Sequence, residues 1–103
     1  MTVTLEISRY NGQWVAAFNG DFPVAIAGAK NVHEIFIKNN TEFNLFELYL
    51  QPQSPNIKLN YPRELRINNI AKGEMTFNCP ADEDGPYFES TIAVNAKGIK
   101  AGA

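Results

Sequence analysis

Residues 2–18, TVTLEISRYNGQWVAAF, decide how the chain is read. Thr2 to Arg9 alternates, with Val3, Leu5 and Ile7 on one face and Thr2, Thr4, Glu6 and Ser8 on the other. That period of two is the signature of a half-buried strand. Asn11-Gly12 follows, the strongest short hairpin signal, because both central residues of the favoured turn need positive φ. If these two residues are the whole loop, Tyr10 faces Gln13, Arg9 faces Trp14, Ile7 faces Ala16 and Leu5 faces Phe18. Apolar then meets apolar across the pair, as a correct register requires, and Arg9 stands opposite Trp14 as a cation–π partner.

Outward from the hairpin the same period continues. Asn19-Gly20 ends the Trp14–Phe18 strand, and Phe22 to Ala27 holds Pro23, which marks an edge strand or an irregular return. Val32 to Lys38 reads as a strand with Ile35 and Ile37 on one face, closed by a turn at Asn39-Asn40-Thr41. Leu45 to Leu50 sets Phe46, Leu48 and Leu50 against Leu45, Glu47 and Tyr49, although Phe43 to Gln51 also suits a short helix. Residues 51–55 are a loop, Ile57, Leu59 and Tyr61 alternate up to Pro62, and Leu65 and Ile67 form a short apolar pair. Lys72-Gly73-Glu74 reads as a turn before Met75, Phe77 and Cys79. Pro80 to Pro86 is an acidic loop, and the last strand, Tyr87 to Ala96, has Phe88, Ile92, Val94 and Ala96 on one face. Residues 97–103 form a small-residue tail, most plainly from Gly98 onward. About seven to nine short strands at this spacing predict one all-β sandwich or barrel domain over residues 1–103.

The totals narrow the function classes. Hydrophobic residues are 45% and charged residues 19% of the 103, a globular balance with enough apolar surface for one core. Nine Lys and Arg against eleven Asp and Glu give a net charge of −2, and the basic residues are scattered. A nucleic-acid binder needs a basic stripe to displace counterions, so nucleic acid is not an expected partner. The start lacks the basic-then-apolar pattern of a signal peptide, and no apolar run reaches the length of a membrane span. The expectation is a protein made in a reducing cytoplasm, with no membrane partner.

From Lys38 onward the chain resembles an immunoglobulin-like sandwich of the kind found in bacterial and archaeal surface and virion proteins. The likeness is carried by Ile37-Lys38-Asn39-Asn40-Thr41, Leu48-x-Leu50, Tyr61-Pro62, Ile67-x-x-Ile70-x-x-Gly73-Glu74-x-Thr76-x-Asn78, and Tyr87 to Ala96. It implies an immunoglobulin-like antiparallel β-sandwich with the hairpin added at the N-terminal side. Paired cysteines of the antibody type are absent, and Trp14 lies too early to be their central tryptophan, so no functional residue carries over.

Candidate sites are few. His33, the only histidine, lacks the co-ligands and neighbours that a zinc site or a triad needs. Cys79, the only cysteine, alternates with Met75 and Phe77 and reads as a small buried hydrophobe, not a nucleophile. Asp82-Glu83-Asp84-Gly85 is oxygen-rich, but its spacing does not fit the twelve-residue calcium loop, and a solvated turn is expected. Asn39-Asn40-Thr41 matches the glycosylation acceptor pattern by coincidence of turn chemistry. No catalytic residue, metal ligand or cofactor-binding residue is expected.

Two non-catalytic classes remain. A free-standing domain of this kind resembles the small proteins that decorate or cement bacteriophage capsids or sit on phage tails. The expectation is therefore a virion accessory protein whose partners are capsid or tail subunits, or further copies of itself. Phe22, Pro23, Val24, Ile26 and Ile99 are the expected interface residues, through edge-strand pairing and the tail. The alternative is a carbohydrate-binding or adhesion module, which predicts Trp14 and the tyrosines exposed in a row. An assembly role predicts apolar edges or termini left open in the isolated chain.

Overall fold

In the computed structural model, residues 3–20, 26, 28–53, 55–78 and 92–100 are described. Every regular element among them is a β-strand: β1 (Val3–Tyr10), β2 (Gln13–Asn19), β3 (Lys30–Asn39), β4 (Phe43–Pro52), β5 (Ile57–Asn60), β6 (Ile70–Asn78) and β7 (Ile92–Lys100). They form a five-stranded sheet in the order β2-β1-β3-β6-β5 and a two-stranded sheet, β4-β7.

The opening hairpin has the expected register throughout, from Tyr10 opposite Gln13 to Leu5 opposite Phe18. Asn11 (φ +50°) and Gly12 (φ +76°) supply the two positive-φ residues that match the twist of the flanking strands. β3 then takes the other side of β1, with Val3 opposite Ile35 and Leu5 opposite Ile37. Because the hairpin returns the chain to the end where β1 began, β3 runs parallel to β1. This one pair departs from the all-antiparallel sandwich expected from the sequence, and the remaining pairs are antiparallel.

The core lies between the sheets. Leu5, Ile7, Ile35 and Ile37 on the large sheet and Leu48 on the small one have no exposed surface, with Val3, Leu45, Leu50, Leu65, Met75 and Ile92 almost as deep. Each such side chain contributes about 1.5–3 kcal/mol by leaving water.

Four sequence expectations are corrected. Lys72-Gly73-Glu74 is not a turn but the middle of β6, with Gly73 opposite Ile35. The glycine is required there by a close approach: a Cβ on Gly73 would lie 2.8 Å from the Asn60 carbonyl oxygen and 2.9 Å from Ile37 Cδ1. Second, the strand expected at Leu45 to Leu50 is present and runs over Phe43–Pro52, but its inward residues change parity along its length. Leu45 is buried before the break and Leu48 and Leu50 after it, because the register slips between Phe46 and Tyr49 and Glu47 takes φ +51°. This is a β-bulge, which re-aims every side chain beyond it, so Phe46 does not share a face with Leu48 and Leu50.

Third, residues 97–100 of the expected tail are strand: β7 continues through Lys100, and the indole of Trp14 lies over Gly98, where a Cβ would come within 2.8 Å of its Cη2 and Cζ2. Fourth, Asn39 is the last residue of β3 and is fully buried rather than a surface turn residue. Its amide nitrogen donates to the Phe43 and Leu65 carbonyls at 2.8 and 2.9 Å, and its Oδ1 accepts from the Thr41 N–H and hydroxyl at 2.9 and 2.6 Å. All four positions of the amide are thereby used. An Asn so occupied is no glycosylation acceptor; it is the joint at which β3 turns into β4.

The segment after β5 crosses to the small sheet. Leu65 exchanges both main-chain bonds with Leu45, and the Leu48 N–H donates to the Arg63 carbonyl at 2.9 Å. This strap covers the outer edge of β4 and links the ends of the two sheets.

Candidate interaction surface

Two arginine–aromatic stacks mark the surface, and the bulge and the hairpin position them. In the first, the Arg9 guanidinium lies 4.2 Å from the centre of the Trp14 ring and 5.2 Å from that of Phe43, while Trp14 meets Phe43 edge-on with centroids 5.5 Å apart. The hairpin register delivers Arg9 to Trp14, as the sequence predicts. The indole is thus half-buried, covered by Arg9 and pressed on Gly98. A ring held this way is a packing wedge between the sheets, not one of a row of open aromatic plates.

In the second stack, the Arg63 guanidinium lies 5.1 Å from the Tyr61 ring and 5.9 Å from the Tyr49 ring. Its Nη1 donates to the Leu48 carbonyl at 3.0 Å and to the Tyr61 hydroxyl at 3.3 Å. The Tyr61 hydroxyl in turn accepts the Leu50 N–H at 2.8 Å. Arg63 and Tyr61 therefore serve main-chain groups just past the bulge, and the guanidinium is fixed before any partner arrives.

The outward face of the β4–β7 sheet carries Tyr49 and Ile99, 49% and 57% exposed, together with half-buried Phe46. Asn44 stands opposite Ile99, Phe46 opposite Lys97 and Tyr49 opposite Asn95. Lys97 pairs with Glu47 at 3.2 Å, a contact open to water at both ends that adds little stability.

Of the interface residues expected from the sequence, Ile99 falls on this face, and Ile26 is 68% exposed in the approach to β3. Ile26 is held there by Asn31, whose Oδ1 accepts its N–H at 2.9 Å. Phe22, Pro23 and Val24, like Cys79 and Asp82-Glu83-Asp84, lie outside the described residues. The placing of Phe46, Tyr49 and Arg63 on this side of the molecule is not legible in the sequence. The signal for it is the bulge, which puts Tyr49 outside with Phe46, and a single sequence does not mark a bulge of this kind.

Among the described residues no group of three or more His, Cys, Asp or Glu side chains could hold a metal. His33 is half-buried on the inner side of β3, opposite Met75. An open cleft of about 400 Å³, lined by Asn60, Tyr61, Pro62, Lys72, Gly73 and Glu74, lies where β5 leaves the large sheet. Its charged walls are Lys72 and Glu74. No family model matches the chain, and neither a curated protein nor a solved structure matches it.

Proposed function

We propose that this domain is a non-catalytic structural protein, a bacteriophage virion accessory of the capsid-decoration, cement or tail kind, which binds neighbouring virion subunits through the outward face of β4 and β7. The observation that carries the reading is the Tyr49–Arg63 stack on a sheet face that also carries Phe46 and Ile99. Aromatic residues and arginine are the types enriched where protein interfaces are buried, and anchors that are already rigid lose little entropy on binding. Arg63 is such an anchor, with its guanidinium tied to the Leu48 carbonyl.

The strand order supports an immunoglobulin-like sandwich. β3-β6-β5 facing β4-β7 has the order of strands B-E-D facing C-F in that architecture. The added features are β1, which stands beside β3 but parallel to it, and its hairpin partner β2. Trp14, wedged under Arg9, does not offer the open aromatic platform that the carbohydrate-binding alternative calls for.

The test uses particles from the native source, stripped of the protein and then resupplied. Stripped particles lose heat resistance, the unaltered chain restores it, and Ile99→Glu does not. Absence of the protein from purified particles, or equal resistance with and without it, overturns the proposal.

A further inference from the structure

Exposed sheet edges recruit strands, and proteins blunt them with charge, proline, bulges or brevity. β5 is four residues long, carries Lys58 and lies between Pro55 and Pro62. β4 is broken by the Glu47 bulge and strapped at Leu45 by Leu65. β7 carries Lys97 and Lys100. Among the described residues β2 shows none of these devices. Its seven residues, QWVAAFN, hold no charge and no proline, and its register with β1 is unbroken over all seven pairs.

The turn fixes which main-chain groups of β2 face outward. A two-residue hairpin closes on a hydrogen-bonded pair, here Tyr10 with Gln13, so Gln13, Val15 and Ala17 direct their N–H and C=O toward β1. Trp14 and Ala16 then direct theirs away from β1, and among the described residues β2 pairs with no other strand. β7 approaches β2 from the inner face, through Gly98 beneath the Trp14 ring. On the outer face, Val15 is 40% exposed.

We infer that β2 pairs with β2 of a second copy of this chain, antiparallel about a two-fold axis at Val15, which joins two five-stranded sheets into one. In that register Trp14 exchanges both main-chain bonds with the partner's Ala16, and Ala16 does the same with the partner's Trp14. Val15 meets the partner's Val15 in the non-hydrogen-bonded position, where Cα atoms stand about 4.5 Å apart. Gln13 lies opposite the partner's Ala17. The absence of charge is what selects a second copy as the occupant. Near a two-fold axis a charged side chain is brought toward its own symmetry mate, so a charged edge repels itself and an uncharged one does not. Lys58 on β5 and Lys97 on β7 would each meet that repulsion.

The interface is small, so the dimer is reversible. Sedimentation equilibrium of the full chain from micromolar to millimolar concentration reads it. The expected result is a monomer–dimer equilibrium whose dissociation constant rises at least tenfold in Val15→Lys. Val32→Lys, on the same outer face but on the interior strand β3, leaves it unchanged. Thermal unfolding confirms that both variants fold, since both side chains are on the solvent face. A second measurement fixes the register: with Cys79→Ser, Val15→Cys oxidises to a disulfide-linked dimer, because the axial spacing lies within bridging range, and Ala17→Cys does not. A monomer at every concentration, or a dimer indifferent to Val15→Lys, overturns the inference. It rests on β2 alone, so it and the virion proposal succeed or fail in separate experiments.

Discussion

Replacing Gly73 with alanine adds one methyl group at a place where the chain has no room for it. The new Cβ would lie 2.8 Å from the Asn60 carbonyl oxygen and 2.9 Å from Ile37 Cδ1. Ile37 is fully buried and can yield only by disturbing its neighbours, and Asn60 O is backbone, fixed by the pairing of Asn60 with Glu74. A normal carbon–oxygen contact is longer by roughly half an ångström, so β5 must shift away from β6 or the end of that pairing must open. Overpacking of this kind costs about 1–3 kcal/mol. Restricting the unfolded chain, as any Gly-to-Ala change does, returns about 0.4–1 kcal/mol. The net loss is about 1–2 kcal/mol, which lowers Tm by roughly 5–15 °C in a domain of this size. Calorimetry measures the shift, and amide exchange locates it: Lys58, Leu59 and Asn60 should lose protection before the hairpin does. A Tm equal to or above that of the parent chain would refute the close approach.

Two further expectations follow from buried and exposed polar groups. Asn39→Leu removes four hydrogen bonds at a fully buried joint and leaves the Thr41 N–H without its acceptor, so stability should fall by about 2–4 kcal/mol, read by urea unfolding; a loss under about 1 kcal/mol would mean that the amide is not the link between β3 and β4. On the outer face of the large sheet Glu34 stands directly opposite Glu74. Like charges in that position repel, so Glu74→Lys should stabilise by roughly 0.2–1 kcal/mol at low salt, and the gain should shrink as salt is added.

What the sequence discloses is what local chemistry decides. Asn11-Gly12 and the alternation on both sides of it specify the hairpin to the residue, because turn geometry and apolar phase are properties of neighbours in sequence. Gly73 and Gly98 look like turn and tail residues in the sequence for the opposite reason. Each is glycine because a distant segment, Asn60 in one case and Trp14 in the other, passes against the backbone. The bulge at Glu47 was hidden because either parity of Phe43–Pro52 offers apolar residues, and only the strap from Arg63 to Leu65 selects where the phase changes. The proposed interaction face inherits that difficulty: Ile99 is expected there as part of the tail, but Tyr49 and Arg63 meet only after the bulge has turned Tyr49 outward.

The position of β3 sets a problem of timing. It is the middle strand of the large sheet, yet one of its neighbours is β1, made before it, and the other is β6, whose last paired residue, Asn78, lies 39 positions beyond Asn39. As the chain is synthesised, β1, β2 and β3 can assemble while the far edge of β3, with Val32, Ile35 and Ile37, waits for its second neighbour. At ordinary rates of translation that wait is roughly 2–8 s. Throughout it the nascent half-sheet presents an unprotected flank to other nascent chains, so yield of folded protein should depend on translation speed and on chaperone supply more steeply than the stability of the finished domain would suggest.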